Sequence, residues 1–218
     1  MKSIFKSNIK RISLIVLSFA LFLSFTIGIS YAATTVNTTL SQTINSASIG
    51  ISIVDAAGDP VGSPSVSFGA FAFSFTAGNS AGILGTSSQK IRVSNPTAAD
   101  TWTVSIAATG GESSVWTDGG TNTYPYNHIS NADLGRLTVD ATTNGVVTPA
   151  GGCSNTNVSK GASSTFVSGT TSNITILSAA TGSDPYCYWD LTAVDLTQRI
   201  PASQAPASYS LGMTLSVI

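Results

Sequence analysis

The chain contains few of the side chains that commonly perform catalysis. It has one histidine, His128, and one glutamate, Glu112, in 218 residues. A serine nucleophile needs a histidine base that a carboxylate orients, and Ser130 and Asp133 beside His128 do not resemble a nucleophile elbow. A single glutamate excludes a glycosidase with paired glutamates, and the aspartates show no spacing typical of an acid pair. The sequence therefore predicts a protein that is not an enzyme.

The segment Trp116–Asp133, with the sequence WTDGGTNTYPYNHISNAD, combines aromatic rings with amides and carboxylates. Aromatic rings can stack on the faces of sugar rings, while a few polar side chains bind the sugar hydroxyls. The candidate binding residues are Trp116, Asp118, Asn122, Tyr124, Tyr126, Asn127 and Asp133. A long loop that is stabilised by its own aromatic side chains is the alternative interpretation, although long loops often carry function.

The same segment also offers oxygen ligands to a metal ion. Ca²⁺ takes about six to eight oxygen ligands, and Asp118, Asn122 and Asp133 could supply some of them. The stretch DGGTNT lacks the third acidic ligand and the bidentate glutamate of an EF-hand loop. We therefore predict no cofactor and no metal site, and Ca²⁺ is the alternative.

Cys153 and Cys187 are the only cysteines, and we predict that they form a disulfide. An even number of cysteines in an exported protein favours pairing, whereas a metal site would need three or four ligands from a chain with one histidine. Trp189 shares a strand face with Cys187, so we expect it to pack against the disulfide. Tyr186 and Tyr188 are then expected on the solvent face.

The N-terminus has the three parts of a secretory signal peptide. Residues 1–11 are basic, residues 12–29 are apolar, and Ser30 and Ala32 occupy the small-residue positions of a cleavage site. We predict cleavage after Ala32 and a mature chain of residues 33–218. The alternative is a membrane anchor, because the apolar stretch is just long enough to span a bilayer. We found no sorting tail and no lipid-accepting cysteine, so we expect a secreted or cell-surface protein that is retained non-covalently.

The charge balance narrows the choice of partners. Four of the nine basic residues lie in the predicted leader, so the mature chain keeps five against ten acidic residues, a net charge of −5. We therefore expect no basic surface to which nucleic acid could bind. We predict that the partners are a cell-envelope glycan or surface proteins, including further copies of this chain, and that no membrane span remains after cleavage.

Alternating apolar and polar residues predict strands along the whole mature chain. Examples are Ile91 and Val93 on one strand, and Phe71, Phe73 and Phe75 on one face of another. Turns rich in Gly, Asn and Pro separate these patterns. We predict one domain, residues 33–218, with an all-β fold: an antiparallel β-sandwich of about nine to ten short strands. The final strand is expected to run over residues 209–218 and to pair within a sheet.

Two stretches resemble the WxL domain of Gram-positive surface proteins. TWTVSIAA contains Trp102-Thr103-Val104, which matches the first Trp-x-Leu motif of that family, and Phe68-Gly69 matches its Phe-Gly step. ASYSLGMTLSVI matches the C-terminal motif with Tyr209 and with Leu215-Ser216-Val217, where Leu215 stands in place of the tryptophan. The resemblance implies an exported β-rich module that binds the cell envelope non-covalently, with peptidoglycan as the expected ligand. We expect the motif residues to be mainly structural.

The C-terminal stretch APASYSLGMTLSV is also similar to the end of fimbrial subunits of the spore-coat-U type. That likeness implies an alternative function, a structural subunit that assembles by adding a strand to a neighbour's sheet. The candidate donor is the segment Thr34–Asn45, TTVNTTLSQTIN, with apolar residues at Val36, Leu40 and Ile44. The simpler interpretation makes this segment the first strand of its own domain.

Overall fold

The computed structural model describes residues 41–42 and 47–218, which fold mainly into β-strands. The strands are β1 (Gly50–Val54), β2 (Gly78–Leu84), β3 (Lys90–Asn95), β4 (Trp102–Ala108), β5 (Val115–Thr117), β6 (Thr123–Pro125), β7 (Leu137–Asp140), β8 (Val146–Pro149), β9 (Val158–Lys160), β10 (Ser164–Thr165), β11 (Asn173–Ala179), β12 (Cys187–Thr192), β13 (Val194–Ile200) and β14 (Met213–Val217). A short 3-10 helix spans Ala132–Leu134. All belong to one compact unit, residues 45–218. The predicted leader, and the candidate donor segment apart from Ser41 and Gln42, lie outside the described residues.

Every strand pair within the described residues is antiparallel, and these strands form three four-stranded sheets and one hairpin. The first sheet has the order β1-β3-β12-β8, the second β14-β4-β11-β9 and the third β10-β7-β13-β2, while β5 and β6 pair with each other. The prediction of an all-β, antiparallel sandwich is therefore confirmed. The described residues form fourteen strands instead of nine or ten, because several strands of two to four residues are too short to show alternation.

The core takes side chains from all three four-stranded sheets, the third contributing residues such as Val139 of β7. The inward side chains of β3 and β4, such as Val93 and Val104, are completely buried. Trp102 of β4 packs against Trp189 of β12, with ring centroids 5.2 Å apart. Both indoles are buried, at 2 % and 0 % exposure. Trp102 therefore faces the core together with Val104 and Ile106, as the alternation of the sequence TWTVSIAA requires.

The chain passes from the first sheet to the third at Ala193. This residue has a positive φ of 57°, and its N–H donates to the carbonyl of Gly85 at 2.6 Å. Gly85 itself has a φ of 82°, and a Cβ there would lie 2.9 Å from the carbonyl oxygen of Leu191. Glycine is therefore required where the two chain segments cross, and β12 can lead into β13 within one residue.

The last strand, β14, pairs with β4 in the second sheet. Leu215 lies opposite Ile106, and Val217 lies opposite Val104. The predicted pairing of the C-terminus is confirmed, although the strand begins at Met213 and not at residue 209. The two stretches that carry the WxL resemblance thus lie on neighbouring strands, where Leu215 and Val217 pack half-buried against the core. This placement gives the motif residues a structural role.

The run of phenylalanines that predicted a strand with its rings on one face lies on the surface and outside the assigned strands. Phe71, Phe73 and Phe75 are 36 %, 51 % and 81 % exposed, and no strand is assigned to them. The preceding residues do follow β2, because Phe68 bridges to Gly82. The buried face of β2, in the third sheet, carries small residues. Gly82 leaves room for the Phe68 ring, because a Cβ on residue 82 would lie 3.3 Å from that ring. The prediction for this segment was therefore wrong.

Cys153 and Cys187 form the predicted disulfide, with their Cα atoms 6.2 Å apart. The next residue after Cys153 contributes to the core, because the carbonyl of Ser154 accepts a hydrogen bond from Trp189 Nε1 at 3.0 Å. The disulfide therefore holds in place the segment whose carbonyl accepts the hydrogen bond of the buried indole. Cys187 is itself one of the half-buried residues packed against the core.

Replacing both cysteines with serine is expected to lower the free energy of unfolding by about 3–4 kcal/mol, because the unfolded chain regains the freedom of a large loop. Urea denaturation followed by tryptophan fluorescence measures the loss. Unmodified protein in excess reductant should show the same midpoint as the double variant. An unchanged midpoint in both samples would contradict a stabilising role.

An ion-pair network crosses the outer face of the first sheet. Asp190 of β12 lies opposite Arg92 of β3. Its carboxylate accepts hydrogen bonds from Arg92 Nε at 2.7 Å and from Nη2 at 2.9 Å, and Lys90 Nζ lies 3.2 Å away. The guanidinium also stacks 4.0 Å from the ring centroid of Tyr188. The bidentate geometry makes this the strongest kind of side-chain pair.

Asp190→Asn is expected to lower the free energy of unfolding by about 2 kcal/mol, because charge-assisted hydrogen bonds to a part-buried carboxylate are lost. Asp133→Asn is the matched control. It breaks the exposed pair with Arg199 and should cost less than about 1 kcal/mol. Equal losses in the two variants would show that burial does not strengthen the Asp190 pair.

Asp190 also makes the free energy of unfolding depend on pH. Burial raises the pKa of Asp190, but the hydrogen bonds and charges of Arg92 and Lys90 outweigh burial and hold the pKa below its ordinary value of 3.8. A carboxyl with a lowered folded-state pKa adds stability above its unfolded pKa and loses it as pH falls through the folded pKa. Below about pH 4, stability should therefore fall less steeply in Asp190→Asn than in the unmodified protein, as urea midpoints across this range will show.

Candidate functional site

An open groove of about 550 Å³ lies beside the third sheet and is lined by aromatic side chains. We call it the aromatic groove. Three parts of the chain form it: residues 66–74, the β5–β6 hairpin, and the connection from β13 to β14 at residues 200–209. Its rings are Phe68, Phe71, Phe73, Trp116, Tyr124 and Tyr209. A concave, mostly apolar surface with a few polar groups is the usual form of a ligand site.

The β5–β6 hairpin positions the two central rings. Trp116 of β5 lies directly opposite Tyr124 of β6, and the rings are nearly parallel, with centroids 6.0 Å apart and an angle of 12° between them. The Phe68 ring meets Trp116 edge-on at 5.3 Å, and the Tyr209 ring meets Tyr124 edge-on at 5.2 Å. The four rings therefore form one continuous aromatic surface.

A hydrogen bond to Gln198 of β13 fixes the orientation of the Trp116 ring. Gln198 is only 1 % exposed, and its Oε1 accepts the indole N–H of Trp116 at 2.8 Å. Its Nε2 donates to the carbonyl of Arg199 at 2.7 Å, so the amide cannot turn without losing a bond. A ring that is held in this way loses little conformational entropy when a ligand stacks on it.

The residues 200–209 form the opposite wall. Ser203 has a φ of 56°, and its N–H donates to the carbonyl of Ser74 at 2.8 Å, which ties this wall to the phenylalanine segment. The hydroxyl of Tyr209 donates to the carbonyl of Ala205 and accepts from Gln204 Nε2, both at 2.7 Å. The wall is therefore bonded to the phenylalanine segment and braced internally by Tyr209.

The hydroxyl of Tyr124 belongs to a residue that is only 7 % exposed. Within the described part of the chain this hydroxyl makes no hydrogen bond, although its ring lines the groove. Burial, and to a smaller extent the neighbouring Tyr209, raises the pKa of Tyr124 to about 12. The group is thus neutral at physiological pH and can both donate and accept a hydrogen bond.

Asp118 and Asn122 lie at the turn of the hairpin and bind each other instead of lining the groove. Asp118 accepts from Asn122 Nδ2 at 2.6 Å and from the N–H of Gly120 at 2.8 Å. These hydrogen bonds, led by the one from the Asn122 side chain, hold the pKa of Asp118 below its usual value. The two residues close the turn that places Trp116 opposite Tyr124.

The remaining predicted site residues are not in the groove. Tyr126 is fully buried and packs edge-on against Phe166. Asn127 is 4 % exposed and donates to the carbonyl of Glu112 at 3.0 Å. Asp133 is exposed and pairs with Arg199 at 2.7 Å. The segment that looked like one long binding loop is therefore a hairpin followed by a buried strand-like stretch.

Catalytic and metal-binding groups are also dispersed. His128 Nδ1 accepts from the N–H of Asn131 at 3.2 Å, and Asn131 in turn caps the short 3-10 helix. Among residues 41–42 and 47–218, no three His, Cys, Asp or Glu side chains come close enough together to hold a metal ion.

Several groove residues were not identified from the sequence as site residues. The phenylalanines were assigned to one face of a strand, and Gln198 lies in a strand in which nothing marks it as special. Tyr209 was recognised only as a motif residue. A possible signal was the composition of residues 66–75, where phenylalanines alternate with Gly, Ala and Ser and not with larger apolar residues.

Comparisons with protein-family models, with curated proteins and with solved structures found no match to this chain. In the part of the chain that the structure describes, no helix has the length and apolarity that crossing a bilayer requires. The function must therefore be inferred from the groove and from the sequence.

Proposed function

We propose that this protein is a non-catalytic, exported cell-surface protein that binds a glycan of the cell envelope, such as peptidoglycan, non-covalently. The observation that carries the proposal is the aromatic surface formed by Trp116 and Tyr124 and flanked by Phe68 and Tyr209. Sugar rings present flat apolar faces that stack on such surfaces, and their hydroxyls need only a few polar partners.

Export is supported by independent features. A disulfide is typical of proteins that fold in an oxidising compartment, and Cys153 and Cys187 are paired. The N-terminal sequence has the pattern of a secretory leader. Binding to the envelope through a groove would retain the protein at the cell surface without a covalent anchor.

The test is sedimentation of the mature chain, residues 33–218, with purified cell walls. We expect the protein to pellet with the walls and to be released when the glycan strands are digested. Trp116→Ala should remain in the supernatant, whereas Phe75→Ala, an exposed aromatic outside the groove, should pellet normally. Failure of the unmodified protein to pellet, or normal pelleting of Trp116→Ala, would overturn the proposal.

A second candidate function, a structural subunit that assembles by strand addition, is favoured by the edge formed by β1 and β14. Each is the outermost described strand of its sheet. Thr103 and Ile218 exchange both backbone hydrogen bonds. The N–H and C=O groups of the even-numbered residues of β14 therefore point toward β4. The N–H and C=O groups of Met213, Leu215 and Val217 therefore point away from the sheet.

The side chains along this edge suit an incoming strand. Leu215 and Val217 on β14, and Ile49 and Ile51 at β1, pack against the core but are only half-buried. Neither strand contains a charged residue or a proline that would protect the edge. A strand that paired with β14 would cover this apolar surface.

Sedimentation velocity of the mature chain at increasing concentration tests this candidate. Strand addition by the segment Thr34–Asn45 predicts oligomers that Leu40→Asp prevents, because Leu40 belongs to the apolar set of this segment. Thr39→Asp, on the opposite face of an extended strand, should assemble normally. A monomer at all concentrations would exclude this function.

A further inference from the structure

The aromatic groove carries no charge on its walls. None of the described residues that line it is an Asp, Glu, Lys, Arg or His. Its polar groups are hydroxyls and amides, among them Ser67, Ser208, Gln204 and Tyr124. Recognition of phosphate or carboxylate groups normally depends on Arg or Lys, and the groove offers neither.

Arg199 and Asp118, two charged residues on the elements that form the groove, are bound by other groups of the protein. Arg199 follows Gln198 on β13, but its guanidinium pairs with Asp133 at 2.7 Å and also reaches Asn79 Oδ1 at 3.2 Å. Asp118 of the hairpin is held by Asn122 and Gly120 in the turn. Neither group is positioned to compensate a charged ligand.

A polar group of the groove lining that lacks a hydrogen-bond partner in the described part of the chain, the Tyr124 hydroxyl, is also uncharged. The Tyr124 hydroxyl makes no hydrogen bond within the described residues, and it adjoins the Trp116 ring on which a sugar would stack. A neutral hydroxyl can exchange donor and acceptor roles with sugar hydroxyls, but it cannot offset the desolvation of an anion.

We infer that the aromatic groove binds uncharged pyranose rings of an envelope glycan and rejects polymers that carry a charge on every repeat, such as teichoic acids. This inference rests on the proposed glycan-binding function and narrows its ligand class. Stacking supplies the affinity, and the Tyr124 hydroxyl orients the sugar. The affinity should be insensitive to salt, since no ion pair contributes.

Calorimetric titration of the mature chain at low and high salt tests the inference. Chitohexaose and cellohexaose serve as neutral probes, and polyglycerol-phosphate teichoic acid and polygalacturonate as anionic probes. We expect a neutral probe to bind equally well at both salt concentrations. Tyr124→Phe should weaken binding about fivefold through the loss of one hydrogen bond, and Phe75→Ala should not change it.

A gain-of-function variant provides a second readout. Ser208 is exposed and lines the groove, so Ser208→Lys places a cation at the site. This variant should acquire salt-dependent binding of teichoic acid, which the unmodified chain lacks.

The outcomes separate this inference from the function on which it rests. If the unmodified chain binds an anionic probe through Trp116, or pellets with cell walls but binds no neutral probe, the uncharged ligand class is wrong and glycan binding stands. If it neither pellets with walls nor binds any probe, the proposed function itself fails.

Discussion

Replacing Trp189 with alanine is expected to lower the free energy of unfolding by about 3–5 kcal/mol. The side chain is completely buried and contacts Trp102 across the two sheets. Its removal leaves a large cavity in the centre of the sandwich and deprives the carbonyl of Ser154 of its donor. Urea denaturation followed by circular dichroism measures the change.

Two controls separate cavity formation from other effects. Tyr188→Ala removes the neighbouring ring on the outer face, which is 38 % exposed, and should cost much less. Trp189→Phe should cost more than Trp102→Phe, because Trp189 Nε1 has an acceptor and Trp102 Nε1 has none among the described residues. A Trp189→Ala variant as stable as Tyr188→Ala would contradict the described core.

The second large effect is expected on binding. Trp116→Ala should weaken the affinity for wall glycan by about thirtyfold, or about 2 kcal/mol, as the loss of a central aromatic contact usually does. The ring lies between Phe68 and Tyr124, so its removal interrupts the aromatic surface at its centre. Calorimetric titration with solubilised peptidoglycan fragments measures the change.

Phe75→Ala is the matched control, since this ring is the most exposed phenylalanine of its segment and lies outside the groove. It should bind the fragments as the unmodified chain does. Both variants should retain the far-ultraviolet spectrum of the folded protein. An affinity loss of the same size in both would show that binding does not depend on the groove.

Strands with clear alternation could be predicted, and β2 could not. In β4 the apolar residues Trp102, Val104 and Ile106 stand at every second position, and all three are buried. In β2 the inward residues include Ser80 and Gly82, which give no apolar signal. The neighbouring phenylalanines alternate more strongly, but small residues in β2 let this segment lie over the sheet with its rings outward.

The candidate site could be predicted only in part, because it is assembled from distant segments. Trp116 and Tyr124 belong to the segment that composition singled out, and cross-strand pairing brings them together. Gln198 and Tyr209 reach the same groove from parts of the chain more than 70 residues away. Local composition also cannot distinguish Tyr124, which lines the groove, from Tyr126, which enters the core two positions later.

The most direct test of the central claim follows the three tryptophan indole N–H resonances by NMR while peptidoglycan fragments are added. Substitution of each tryptophan with phenylalanine assigns the signals. Glycan binding in the aromatic groove predicts a progressive shift of the Trp116 signal, while the signals of the buried Trp102 and Trp189 stay in place. Saturable binding that leaves the Trp116 signal unchanged would contradict the claim.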